Sequence, residues 1–148
     1  MTQNGSGKAA KRYQAVGAST GVMDASPHRL VQMLMEGALD KLATARGCIE
    51  RDDLEGKNRH LTWGMSIING LRASLDAETG GEIAVNLNDL YGYMNRRLGE
   101  AMTADNAEPV TEVINLMLEI KGAWDAVPDD VKHAPGANDQ AVGSAGAV

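Results

Sequence analysis

The stretch Thr79–Met94, TGGEIAVNLNDLYGYM, decides the fold because it joins a helix start to a long apolar period. Its apolar residues recur every three or four positions, at Ile83, Leu87, Leu90 and Met94. This is the spacing of one face of an α-helix. Ahead of the run, Thr79 and Glu82 have the spacing of a capping box, in which each residue satisfies an amide of the other. The stretch predicts an amphipathic helix that starts at Gly80–Gly81 and runs to about residue 102.

Three further apolar-periodic segments flank this helix. Ser26 before Pro27 predicts the start of a helix that ends near residue 51, because Ser supplies a cap and Pro needs no amide there. Asp52 or Asp53 is expected to cap a second helix, which ends near residue 76. Leu54 belongs to the apolar stripe of that helix, with Trp63 and Ile67 on its flank. The last helix begins near residue 109 and is stopped at residue 128.

The last helix has its own buried stripe, at Val110, Val113, Ile114, Met117, Ile120 and Trp124. The chain of 148 residues has no Phe, two Trp and eight Met, a composition that favours helices over strands. Four long helices joined by short breaks return antiparallel to one another. We therefore predict an all-α fold, an antiparallel up-down-up-down four-helix bundle with a short N-terminal cap segment.

Charge and composition divide the chain into three parts. Residues 1–12 carry Lys8, Lys11 and Arg12 without an acid and are expected to be a disordered basic arm, and residues 128–148 a disordered tail. Residues 13–127 form the helical domain. The net charge of −6 argues against nucleic acid as a partner. The lone Cys48 and the lack of a signal segment or a membrane-length apolar run favour a cytoplasmic protein without stable membrane insertion.

No chemistry-bearing motif stands out. Gly80–Gly81 lacks the strand and the Gly-Lys-Ser/Thr ending of nucleotide-binding loops. His28, His60 and His133 lack the spacing of a helical metal site, and the carboxylates at helix junctions are explained by capping. We expect no metal, no cofactor and no catalysis. The many Met residues and the wide apolar stripes fit either a core without Phe or a protein that binds varied apolar peptides.

Several segments together resemble the flagellar export chaperones of the FliS type. They are Tyr13–Val16, Ala25–Leu30, Met33-Leu34, Glu36–Ala38, Ile67–Asn69 with Leu71, Leu75-Asp76, Gly80–Ala84, Asn86-Leu87, Leu90-Tyr91, Tyr93-Met94 and Ala123-Trp124. The resemblance spans roughly residues 13–127. Two positions depart from it, since Met35 stands where the family more often has an aromatic residue and Gly92 where an acid is usual.

This resemblance implies a cytoplasmic chaperone that binds the disordered C-terminal segment of flagellin, prevents premature polymerisation, and delivers it to a component of the flagellar type III export gate. The implied client-binding residues are Tyr13, Val16, Leu34, Met35, Asn86, Leu87, Tyr91, Tyr93 and Met94. Within the helix at residues 80–102 we expect Leu90 to be core, and Tyr91 to line a groove with its hydroxyl reaching water or the client's backbone.

Two other hypotheses remain open. A helical-bundle enzyme or metal carrier would need inward-pointing carboxylate and histidine ligands. A structural or self-assembling helical protein with another client would form concentration-dependent oligomers and would not respond to flagellin.

Overall fold

The computed structural model describes residues 24–127, apart from the side chains of Ala77 and Thr79. Within this range the chain forms four α-helices and no strand: α1 (Pro27–Glu50), α2 (Leu54–Ala73), α3 (Ala77–Thr103) and α4 (Glu108–Asp125). The all-α four-helix bundle predicted from the sequence is confirmed. The predictions for the basic arm, for Tyr13 and Val16, and for the tail fall on residues outside those described.

The first two helices begin at the caps that the sequence predicted. The Ser26 hydroxyl accepts a hydrogen bond from the Arg29 amide at 3.0 Å at the start of α1. The Asp53 carboxylate accepts from the Gly56 amide at 2.9 Å at the start of α2. Each oxygen satisfies an amide of the first turn, which has no partner within its own helix.

The start of α3 differs from the prediction by one turn. The Asp76 carboxylate accepts from the Glu78 amide and its carbonyl accepts from the Gly80 amide at 2.7 Å, so a helical turn forms before the two glycines. Gly81 then interrupts the helix with φ 58° and ψ −133°, a backbone conformation that glycine adopts without strain. The capping box itself stays a prediction, because the Thr79 side chain lies outside the described part.

The four helices contact one another as a ring. The interface between α1 and α2 is the most extensive, those of α1 with α4 and of α2 with α3 are intermediate, and that between α3 and α4 is the least. All four helices contribute to one buried core, formed by Met35, Ala38, Leu42, Leu61, Ile68, Leu71, Met94, Leu98, Val110, Val113 and Met117 among others.

Two details of the predicted register of α2 are wrong. Leu54, placed in the apolar stripe, is 63% exposed, because it is the first residue of the helix and lies beyond the core. Ile67, placed on the flank, is 2% exposed. Ile67 lies one turn after Gly64. A Cβ added to Gly64 would lie 2.9 Å from Leu42 Cδ2, so this side of α2 packs closely against α1.

Candidate binding surface at the α3–α4 seam

The seam between α3 and α4 is held by hydrogen-bonded side chains. Only residues 104–107 connect the two helices, so α4 returns alongside α3. The Tyr93 hydroxyl donates to one Glu112 carboxylate oxygen at 2.6 Å, and Arg97 Nε donates to the other at 2.6 Å. Arg97 also bonds Glu100 within α3. A single carboxylate of α4 thus bridges two successive turns of α3.

These bonds shift the acid–base equilibria of their partners. The Tyr93 hydroxyl and the Arg97 guanidinium stabilise the ionised carboxylate and hold the pKa of Glu112 below its usual value of 4.5. The same hydrogen bond raises the pKa of Tyr93. The pKa of Arg97 is raised by its bond to Glu112, so Arg97 remains charged.

Four half-buried apolar side chains lie beside this network. On α3, Leu90 is one turn before Tyr93 and Leu87 one turn earlier; on α4, Leu116 is one turn after Glu112 and Ile120 another turn on. The first pair belongs to α3 and the second to α4, the two helices that Glu112 joins. All four pack against the core and all four remain partly exposed. We call Leu87, Leu90, Leu116 and Ile120 the seam stripe.

Three of the predicted binding residues lie in the core. Met35 is 1%, Tyr91 2% and Met94 0% exposed. The expectation that Tyr91 lines a groove is wrong, because its side chain is buried, and this burial raises the pKa of Tyr91 to about 12. At the next residue, Gly92, the Arg72 side chain of α2 lies 3.2 Å from where a Cβ would be, so α2 approaches α3 beside Tyr91. Leu90, expected to be core, is instead half-buried.

The other predicted residues are divided between two faces. Asn86 is exposed and lies two turns before the half-buried Tyr93, which borders α4 through Glu112. The adjacent Leu87 is half-buried and packs against the core. Leu34 lies two turns before Lys41, whose ammonium is 3.8 Å from the Trp63 ring centre, so Leu34 falls on the side of α1 that faces α2. The structure therefore joins Asn86, Leu87 and Tyr93, and separates Leu34 from them.

Sequence reasoning missed the contribution of α4 to this surface. Ile120 had been placed in the buried stripe and Leu116 in none. The signal was present in the spacing, because these two residues are four apart and lie on the flank of the stripe formed by Val113 and Met117. Periodicity identifies such a flank but does not tell how closely the next helix covers it.

Within residues 24–127, no three side chains of His, Cys, Asp or Glu are grouped to hold a metal ion. None of the helices there combines the length and apolar character needed to span a bilayer. These features define a class of protein by its architecture: a small all-helical bundle that leaves apolar side chains partly exposed at one seam.

Comparison with known proteins gives the family. A family model described as "Flagellar protein FliS" matches residues 9–131. The chain belongs to the FliS family, a family of chaperones and not of enzymes.

Individual relatives are similar in sequence to this chain over most of their length. The chain is 48% identical over 120 residues to the flagellar secretion chaperone FliSB of Pseudomonas aeruginosa, covering 81% of this chain and 95% of the relative. It is 45% identical over 115 residues to the flagellar secretion chaperone FliS of Salmonella typhimurium, covering 77% and 85%. The chaperone FliS of Bacillus subtilis is 32% identical over 103 residues, covering 70% of this chain and 76% of the relative.

Proposed function

We propose that this protein is a cytoplasmic export chaperone that binds the disordered C-terminal segment of flagellin, prevents its premature polymerisation, and delivers it to the flagellar type III export gate. The family supports the coarser part of this proposal, a flagellar secretion client. The choice of flagellin and of its C-terminal segment comes from the resemblance.

The observation that carries the proposal is the seam stripe. Leu87, Leu90, Leu116 and Ile120 are partly exposed on the two helices that form the hydrogen-bonded seam. An amphipathic segment that folds into a helix as it docks would cover these side chains with its own apolar face. Covering apolar surface is favourable by about 25 cal/mol per Å², which offsets part of the entropy lost on ordering.

The predicted binding residues take different roles in this proposal. Leu87 contacts the client directly, the exposed Asn86 amide bonds its backbone, and Tyr93 fixes the position of α4 through Glu112. Met35, Tyr91 and Met94 support α3 from within the core.

Three predicted residues lie outside this surface. Leu34, on another face, would be reached only by a client that extends around the bundle. For Tyr13 and Val16, which lie outside the described residues, the proposal is that they anchor the N-terminal cap segment as a lid that the client displaces. Hydrogen exchange on this N-terminal segment tests the lid, since equal protection in free and bound protein would contradict it.

Titration calorimetry with flagellin tests the client assignment. Full-length flagellin should bind, and flagellin without its C-terminal segment should not. Size-exclusion chromatography of the same mixtures should show co-elution only for the full-length protein. If the chain instead formed concentration-dependent oligomers and did not bind flagellin, the alternative hypothesis of a self-assembling protein would be supported.

A pair of leucines on α4 tests the location. Leu116→Ser should weaken flagellin binding by roughly 2 kcal/mol, about thirtyfold, if Leu116 is a central contact. Leu118→Ser is the matched control, because Leu118 is 51% exposed and lies two residues away on a different side of the helix. Equal effects of the two variants would remove the seam stripe from the binding surface. Reduced flagellin export in cells that carry only the Leu116→Ser variant would support the delivery step.

A further inference from the structure

A pocket of about 250 Å³ lies where the α1–α2 turn meets the end of α3. We call it the end pocket; Cys48, Ile49, Leu54, Lys57, Met102 and Asp105 are among the residues that line it. Met102 is twelve residues beyond Leu90 on α3, about 18 Å along the helix at 1.5 Å per residue. The end pocket is therefore distinct from the seam stripe.

One wall of the end pocket is apolar and open to water. Leu54, at 63%, is the most exposed of the large hydrophobic side chains among residues 24–127. Ile49 and the half-buried Met102 lie with it in the lining. A large apolar side chain inserted here would contact a leucine, an isoleucine and a methionine, and would take Leu54 out of water.

The pocket also holds a buried cation with spare hydrogen-bonding capacity. Lys57 is 4% exposed, and its ammonium donates to the Ala104 carbonyl at 3.4 Å. This is its one side-chain hydrogen bond to the described residues, whereas an ammonium has three donors. A backbone carbonyl of a docked segment is a suitable second acceptor, since it adds no charge to the pocket.

The rim of the pocket is acidic. Three exposed acidic residues line it, Asp52, Asp53 and Asp105, and the exposed Glu50 and Glu55 are close to them in the sequence. Arg51 and Lys57 are the only cations in the two stretches 50–57 and 103–105 that contain these acids. The charge at the mouth therefore favours a basic partner.

We propose that the end pocket docks a basic peptide segment of a second partner that carries one large apolar side chain. The apolar side chain enters between Leu54 and Met102, a backbone carbonyl accepts from Lys57, and lysine or arginine side chains face Asp52 and Asp105. The inference goes beyond the proposed function, because the partner is not the client and the surface is a different one.

A peptide titration followed by NMR tests this docking on the full-length chain. The probe is a short synthetic peptide of lysine and arginine with a single leucine. Amide shifts should be confined to residues 48–57 and 102–105, and affinity should fall as salt is raised. Replacing the leucine of the peptide with alanine should weaken binding by about tenfold, and replacing its basic residues with glutamate should abolish it.

Variants of the protein locate the contact. Leu54→Ser should weaken the binding of the leucine peptide by about tenfold. Leu118→Ser, which changes another exposed leucine, should leave this binding unchanged. Both variants should bind flagellin as the unmodified chain does, so failure of the docking and failure of the client assignment are separate results. Equal binding of the leucine and alanine peptides, shifts spread over the acidic surface, or no shifts at all would overturn the proposal.

Discussion

The α1–α2 pair and the α3–α4 seam join neighbouring helices by different means. α1 and α2 approach closely at Gly64, which has no side chain. A Cβ at this position would lie 2.9 Å from Leu42 Cδ2 of α1. α3 and α4 meet through hydrogen bonds from Tyr93 and Arg97 to Glu112, and leave apolar side chains half-exposed. Around Gly64 the first interface has no space for a further side chain, whereas the second has apolar surface that another chain can cover.

This difference suits a chaperone that must fold before its client arrives. A frame packed to the density of a protein interior is stable without a partner. In the proposed complex, the side chains of the seam stripe would complete their burial against the client. Since stability varies across a structure, binding surfaces are found where apolar contacts are fewest.

The largest expected contrast is between two leucine truncations. Leu42 is fully buried in the α1–α2 frame, so Leu42→Ala should lower the free energy of unfolding by about 2 to 5 kcal/mol through cavity formation. Leu116→Ala at the seam should lower it by about 1 kcal/mol, because its side chain is already partly in water. Urea denaturation of both variants measures the difference. Equal losses would mean that the seam is as tightly packed as the frame.

A smaller effect should follow from filling the glycine contact. Gly64→Val puts side-chain atoms where Leu42 lies and should lower the free energy of unfolding by about 1 to 3 kcal/mol. Gly70→Ala on the same helix is the control. Nothing lies within 4 Å of its added Cβ, so it should stabilise the protein by up to about 1 kcal/mol through helix propensity. Thermal melts that show Gly64→Val unchanged would contradict the close approach of α1 and α2.

The sequence was sufficient for the helices and for much of the core. Caps at Ser26 and Asp53 are local signals, and the apolar period that contains Leu42 and Leu98 places the buried side of each helix. These predictions succeed because capping and amphipathicity depend on residues within a few positions of each other.

The candidate site was less predictable, because it depends on how closely one helix covers another. The sequence placed Leu90 at the centre of the apolar line and Tyr91 on its shoulder, whereas in the structure Tyr91 is buried and Leu90 is half-buried. α2 approaches α3 beside Tyr91, at Gly92, where the lack of a side chain allows Arg72 to approach, and α4 leaves Leu90 partly open. How closely a neighbouring helix covers each side of α3 depends on tertiary packing, and the apolar periodicity of α3 alone does not determine it.

The smallest expected effect concerns the hydrogen bonds that hold the seam. The pKa of Glu112 is held below its usual 4.5 in the folded protein, first by the Tyr93 hydroxyl and then by Arg97. A group with a lowered folded pKa contributes stability above its unfolded pKa, and this contribution is lost as pH falls through the folded value. Stability measured by urea midpoints should therefore decline as pH is lowered below about 4.5, and Glu112→Gln should flatten part of that decline.

Two comparisons make this last prediction specific to the seam. The pKa of Asp125 is also lowered, mainly by its bond to Lys121, so some acid sensitivity should survive in Glu112→Gln. Tyr93→Phe should reproduce only part of the effect, because Arg97 still donates to the carboxylate. The effect of either substitution on the pH dependence of stability should be small, since exposed ion pairs contribute little in water. If stability declined equally at low pH in Glu112→Gln and in the unmodified chain, the Glu112 carboxylate would be solvated. The seam would then be held by its apolar contacts alone.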